Sequence, residues 1–322
     1  MKIKKTIFFI ILFNLSNVSY AADIMQDKDL FQEVTSAASN KNYIMDYIYY
    51  SSVHGIIPLQ YEHFTKNNKE VNSLSFLSTD TPIRKIINHD NEQEYYFWDA
   101  KHNYKTNYKP FRIFIPPFNK ENYKTLLENY NIEFIRTGIE ANRKCSVYKI
   151  SSKYNNTYSY LIWVDLKSKL ILRANLINSR NLLLEEFRVL SLTLLTPSDN
   201  GNENDKKLLV NEVTNEKHNS ESFDWQSNWV PQGFQKFNSE EYRLKLNSKK
   251  VQVKMYTDHL FYFSIYFTHG ESTQNVENRV VKLGPQIMES KNLNGNLVTV
   301  IGSLPLKTIN KILKNVSIES SN

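Results

Sequence analysis

Residues 157–195 constrain the fold of this chain more than any other stretch. TYSYLIWVD (157–165), LILRANLI (170–177) and LLLEEFRVLSLTLL (182–195) are long apolar runs rich in β-branched and aromatic residues. Only Leu166-Lys167-Ser168-Lys169 and Asn178-Ser179-Arg180-Asn181 separate them. Turns this short join antiparallel neighbours, because a parallel pair needs a crossover of a dozen or more residues. The spacing therefore predicts a three-stranded, strongly twisted antiparallel meander.

The same pattern extends on both sides. YIMDYIYYSSV (43–53), LQYEHFT (59–65), NSLSFLS (72–78), IRKIINH (83–89) and EYYFWDA (94–100) read as strands upstream, followed by IEFIRTG (132–138) and CSVYKIS (145–151). Downstream, 225–234, 250–257, 259–268, 279–284 and 296–304 read the same way. Helical spacing occurs in three places. Leu30, Phe31, Val34, Ala37 and Ala38 share one face of 30–42, and 121–130 reads as a short second helix after Pro116-Pro117. At the end, Ile309, Ile312, Leu313 and Val316 form an apolar stripe after Pro305, which suits a first helical turn.

The N-terminus reads as an export signal. Lys2, Lys4 and Lys5 precede the apolar run Ile7 to Leu15, and Ser19-Tyr20-Ala21 offers small residues at a cleavage site. The run is shorter than the ~20 residues needed to span a bilayer. Residues 197–222 hold six acids, three lysines, one proline, one glycine and no aromatic, the composition of a polar linker. The expected organisation is a signal peptide (1–21), a large domain (22–196), a linker (197–222) and a small domain (223–322).

Formal charge is +7, or about +4 without the three signal lysines. That mild excess favours acidic partners or anionic head groups and is too diffuse for nucleic acid. The single cysteine, Cys145, sits in an alternating apolar run and reads as a small buried hydrophobe. No zincin, nucleophile-elbow, phosphate-loop or dinucleotide motif is present, so no catalytic residue, metal ligand or cofactor is assigned. The seven histidines, His54, His63, His89, His102, His218, His259 and His269, read as solvated or capping groups near turns or strand ends. Glu185-Glu186 and Glu240-Glu241 read as solvated strand edges or turns. Asp258 and His259 are neighbours and make a poor acid–base couple unless they lie in a turn. With 20 tyrosines and 18 phenylalanines, the chain has the residues to line an apolar hollow inside a curled sheet, or to fill an ordinary core.

Several segments resemble the RseB/MucB family: Arg143 to Val147, Tyr158 to Asp165, Lys169 to Arg173 and Glu185 to Val189 in the first domain. Trp225, Trp229 to Phe234, Met255 to Phe261, Phe263-Ser264 and Val298 to Pro305 follow in the same order. The resemblance implies an α+β fold: a large N-terminal half-open antiparallel β-barrel with covering helices, like the lipoprotein carriers LolA and LolB, plus a smaller C-terminal α+β domain. It implies a periplasmic, non-enzymatic regulator that binds the periplasmic domain of a membrane anti-sigma factor, RseA or MucA, and shields it from the site-one protease. Lipopolysaccharide or lipoprotein acyl chains would release the shield. A lipid or lipoprotein carrier is the alternative, and the oligomeric state stays open, a homo-oligomer included. Tyr160, Trp163, Leu172 and Phe187 are the candidates for the apolar pocket. Trp229, Tyr256, Phe261 and Phe263 are those for the partner surface or the core beneath it. The glycine that follows the aspartate in that family is His259 here, so an altered turn is expected.

Overall fold

A computed structural model describes residues 27–66, 69–89, 92–106, 116–118, 123–196, 211–212, 223–243, 250–270 and 279–318. The expected signal peptide, His218 and most of the expected linker lie outside them.

Helix α1 (Asp27–Asn40) opens the described chain. It feeds β1 (Tyr43–Ser51), β2 (Gly55–Lys66), β3 (Lys69–Phe76), β4 (Ile83–Asn88), β5 (Gln93–Phe97) and β6 (Tyr104–Thr106). After α2 (Tyr123–Asn129) come β7 (Tyr130–Glu140), β8 (Arg143–Ser152), β9 (Ser159–Asp165), β10 (Ile171–Ile177) and β11 (Leu183–Leu194). These strands and β12 (Asn211–Glu212) form one sheet in the order β12-β6-β5-β4-β3-β2-β1-β11-β10-β9-β8-β7. Every pairing is antiparallel except β12 with β6. The meander read from 157–195 is β9-β10-β11, and a β1–β11 pairing of residues over 130 positions apart joins it to the upstream strands. The end strands β12 and β7 do not pair with each other, so the sheet is open.

A second sheet, in the order β14-β15-β16-β19-β18-β17, is built from β14 (Gln235–Arg243), β15 (Lys250–Thr257), β16 (Tyr262–Thr268), β17 (Arg279–Leu283), β18 (Gln286–Leu293) and β19 (Asn296–Gly302). A two-stranded ribbon pairs β13 (Trp225–Ser227) with β20 (Val316–Ile318), and α3 (Leu306–Lys314) packs on β18 and β19. Among the described residues the fold is thus predominantly β, with three α-helices and one 3-10 turn at Ala100–His102.

Several local expectations are corrected. Residues 228–234 are not a strand, because Pro231 lacks an N–H to give a ladder and the chain turns there, Phe234 N–H donating to Pro231 O. Strands β14 and β18 are polar enough to escape an apolar-run reading. The last helix stops at Lys314, and Val316 contributes to the core from β20 instead. His63 is buried inside β2, 1% exposed, its ring stacked on Tyr43 and its Nδ1 2.7 Å from Lys41 O, so it is not a solvated histidine. Glu185 and Glu186 stand on β11 inside the first sheet, Glu186 lying 2.6 Å from Arg173 Nη2, whereas Glu240 and Glu241 stand on the edge strand β14, where an edge was expected, Glu241 accepting from Gln252 at 3.0 Å.

The Leu166–Lys169 turn shows how sequence sets geometry. Asp165 is 1% exposed, and its Oδ2 accepts from Arg143 Nη2 (2.8 Å), the Ser168 amide (2.8 Å) and the Ser168 hydroxyl (2.6 Å). Burial pushes this carboxyl up, but the bonds from Arg143 and Ser168 outweigh it and hold the pKa below the usual range. A depressed carboxyl stabilises the fold above its unfolded pKa, and that contribution disappears as the pH falls through the folded value. Asp165→Asn should cost about 3 kcal/mol at neutral pH. In urea titrations the loss should shrink below the ordinary carboxylate range as wild-type Asp165 protonates.

Candidate functional site

The alternation of strand residues divides the large sheet into two faces. Tyr160, Ile162, Ala174, Leu176 and Phe187 share the inner face by register, and Trp163, Arg173, Arg188 and Glu186 share the outer one. The inner face is covered by α1, whose Leu30, Val34 and Ala37 are buried. The end of α1 is tied to the sheet by Tyr43 Oη donating to Ala38 O and Thr65 Oγ1 donating to Ser39 O. Lys169 adds an ion pair with Glu33 at 3.0 Å.

Between α1 and the inner face lies an apolar cavity of about 50 Å³, bounded by Val34, Tyr43, Met45, Tyr61, Phe118 and Phe187 among others. At about 30 Å³ of liquid per water, it is far too small for an acyl chain as it stands. Tyr47 rests against Phe187 with ring centres 4.8 Å apart, and its buried hydroxyl has no hydrogen-bond partner. Burial raises the tyrosine hydroxyls of Tyr43, Tyr47 and Tyr61 well above their ordinary pKa, so all three are neutral hydrogen-bond groups.

The structure brings three of the four pocket candidates together on this side. Phe187 borders the cavity, Leu172 is fully buried, and Tyr160 packs edge-on to the cavity residue Phe118, ring centres 5.9 Å apart. Trp163 lies on the opposite face, under the Arg173 guanidinium at 4.6 Å. Tyr43, Met45 and Tyr61, which sequence reasoning left unassigned, form much of the wall; their shared spacing along β1 and β2 is the signal that marks them.

The four candidates from the second domain also separate. Phe263 and Tyr256 stack at 4.8 Å within the second sheet and are buried. Trp229 is partly buried, with Lys311 Nζ 4.1 Å above its ring. Phe261 points out of its own domain, stacking on Tyr160 at 5.8 Å and meeting Tyr158 edge-on at 6.4 Å. It is 1% exposed because the first sheet covers it.

Around Phe261 the two sheets dock through directed polar contacts. Tyr130 Oη donates to Asp258 Oδ2, and Tyr158 Oη to Leu304 O at 3.1 Å. Asn156 Nδ2 donates to Gln232 O (2.9 Å), and Thr308 Oγ1 to Asn156 O (2.8 Å). Gly233, at φ +91, sits so close to Asn129 that a Cβ would lie 3.1 Å from its Cγ. Asp258 also accepts the Leu260 and Phe261 amides, at 3.0 and 2.7 Å, shaping the turn that presents Phe261. Burial nevertheless leaves its pKa raised. Asp258 and His259 do lie in a turn, but the carboxylate is committed to these bonds. His259 itself takes φ +72, the left-handed region where glycine is least strained. Cys145 is buried, and burial pushes its thiol up to about 11, as expected of a packing residue. Among the described residues no group of three or more His, Cys, Asp or Glu is placed to hold a metal ion.

Removing both ends of this seam should uncouple the domains. Tyr130→Phe combined with Asn156→Ala should split calorimetric unfolding into two transitions, where the wild type should show one. His259→Gly should raise the unfolding free energy by about 0.5–1 kcal/mol by relieving the left-handed backbone; an unchanged or lowered value in urea unfolding contradicts this.

The MucB/RseB N-terminal domain matches residues 26–213, and the MucB/RseB C-terminal domain matches residues 219–317. The sigma-E factor regulatory protein RseB of Escherichia coli K12 is 25% identical over 300 residues, 89% of each chain. RseB of Haemophilus influenzae is 25% identical over 306 residues, 94% of each chain. The sigma factor AlgU regulatory protein MucB of Pseudomonas aeruginosa is 26% identical over 213 residues, 64% of this chain and 66% of that one. Among solved structures, MucB in complex with MucA(peri) superposes with a TM-score of 0.71 at 19% identity, covering 92% of this chain and 100% of that one. A crystal structure of MucB gives a TM-score of 0.58 at 18% identity, covering 91% of this chain and 98% of that one. With both family domains matched in order across nearly the whole chain, the protein belongs to the MucB/RseB family.

Proposed function

We propose that this chain is a periplasmic negative regulator of a sigma-E-type envelope stress response. It binds the periplasmic domain of an RseA- or MucA-like anti-sigma factor and shields it from the protease that starts its degradation. The observation that carries this reading is the match to both family domains along one chain, together with a solved relative described as MucB in complex with MucA(peri). The second domain favours a regulator over a simple carrier, because a carrier needs only the large sheet and its hollow. On this reading residues 1–21 are a cleaved export signal, 22–196 and 223–322 are the two domains, and 197–222 is the tether. The reading assigns no catalytic role, in keeping with a family of regulators.

The large sheet then acts as a half-open barrel of the LolA/LolB kind, with α1 in its mouth. Lipopolysaccharide or lipoprotein acyl chains are the releasing signal. They would enter where the small cavity now lies, along Phe187, Leu172 and Tyr160, and the free Tyr47 hydroxyl supplies a donor for an ester carbonyl. Entry requires α1 or the 116–118 segment to move, since the cavity is too small for an acyl chain. Lipid and anti-sigma factor then act in opposition only if they favour different arrangements of these parts.

The test is a protection assay. The full chain is mixed with the periplasmic domain of the RseA- or MucA-like protein of the same genome, and the site-one protease is added. Equimolar chain should slow cleavage at least tenfold, and lipopolysaccharide should restore it. Cleavage at the uninhibited rate, with acyl lipids extracted from the purified chain, would make it a carrier instead.

A further inference from the structure

Strand β17 forms one edge of the second sheet. It pairs with β18 on one side, and among the described residues no strand pairs with the other. All five of its residues, Arg279-Val280-Val281-Lys282-Leu283, are exposed, with Val281 at 38% and Leu283 at 51%. An edge of this kind offers a row of backbone N–H and C=O groups to an incoming strand. Three of its five side chains are apolar, an unusual cost for a surface strand left bare.

The strand does not stop at its own domain. Gly284, in the turn after Leu283, lies against the β1–β2 turn of the first sheet: a Cβ there would sit 3.5 Å from both Ser52 Oγ and Val53 Cγ2. The β1–β2 hairpin beside it also exposes apolar side chains, Val53 at 43% and Ile56 at 65%. The opposite edge of the same sheet is unlike it. Strand β14 carries Glu240 and Glu241 and is broken by a bulge at Lys236/Asn238.

We propose that β17 receives an extended acidic–apolar segment of the partner protein as a seventh strand. Its carboxylates would lie beside Arg279 and Lys282, and its apolar side chains would run over Leu283, Val53 and Ile56. Charge selects this occupant. Two copies of β17 would crowd four cations on one joint, which like-charge repulsion opposes, whereas an acidic strand neutralises them. Strand addition draws affinity from main-chain hydrogen bonds and register from alternate side chains. The proposal rests on the anti-sigma reading above and names the surface through which that partner engages both domains.

Two measurements on the full chain test it, with the purified periplasmic domain of the same anti-sigma factor as probe. In calorimetric titrations R279E/K282E and V281D should each weaken binding about tenfold or more. The control I139D, at a 72%-exposed site on β7, should bind within twofold of wild type. These sites are exposed, so thermal midpoints should match wild type. In hydrogen exchange of the wild-type complex, the amides of residues 279–283 should gain protection. Wild-type binding with both β17 variants within twofold, or protection that leaves 279–283 untouched, overturns the surface and leaves the regulator reading standing. Wild type that does not bind the probe removes the regulator reading and this surface with it.

Discussion

A buried aspartate joins the two halves of this protein. Taking a carboxylate out of water is expensive unless its lone pairs are satisfied. Asp258 meets that demand with two amides of its own turn and the hydroxyl of Tyr130, 128 residues away. The local bonds shape the turn, and the turn aims Phe261 at Tyr158 and Tyr160. Without the Tyr130 hydroxyl the carboxylate would lose one of its few partners, so the carboxylate specifies where the first sheet must sit. Tyr158, Asn156 and Thr308 add directionality around it, each reaching a backbone carbonyl across the seam.

The same contact places the seam next to the hollow. Phe118 borders the apolar cavity, packs edge-on to Tyr160, and Tyr160 stacks on Phe261. Three aromatic rings in succession therefore connect the inside of the first sheet to the turn that Asp258 organises. Densely packed side chains shift between discrete arrangements more readily than they deform. A ligand that displaced Phe118 would act on Tyr160 directly and on the docking of Phe261 at one remove.

Much of this was legible in the sequence, and the failures have physical causes. The meander at 157–195 is readable because its turns are too short for anything but antiparallel pairing. The terminal helix is readable from its stripe, though not its end, because Val316 is buried whether it closes a helix or opens β20. Strands β14 and β18 stay hidden: QKFNSEEYR and QIMESKNL lack an apolar run, and sheet neighbours stabilise them where propensity does not. His63 shows the limit for polar residues, since its burial depends on Tyr43 stacking on it and on Lys41 offering a carbonyl.

The candidate site divides along the same line. Tyr160 and Trp163 are three residues apart on one strand, so the strand period already places them on opposite faces. Which face is the inner one is decided by α1, whose apolar stripe needs cover, and by the ions opposite: Arg173, Arg188, Glu140 and Glu186 pair on the outer face, where both arginines are partly exposed. No local pattern could show that Phe261 leaves its own domain. Its run, HLFYFSIYFT, alternates like any core strand, and only the turn at Asp258 lifts Phe261 out of that alternation and into the neighbouring sheet. Residues that join domains obey the geometry of two sheets at once, which is why period-two reasoning on either sheet assigns them to a core.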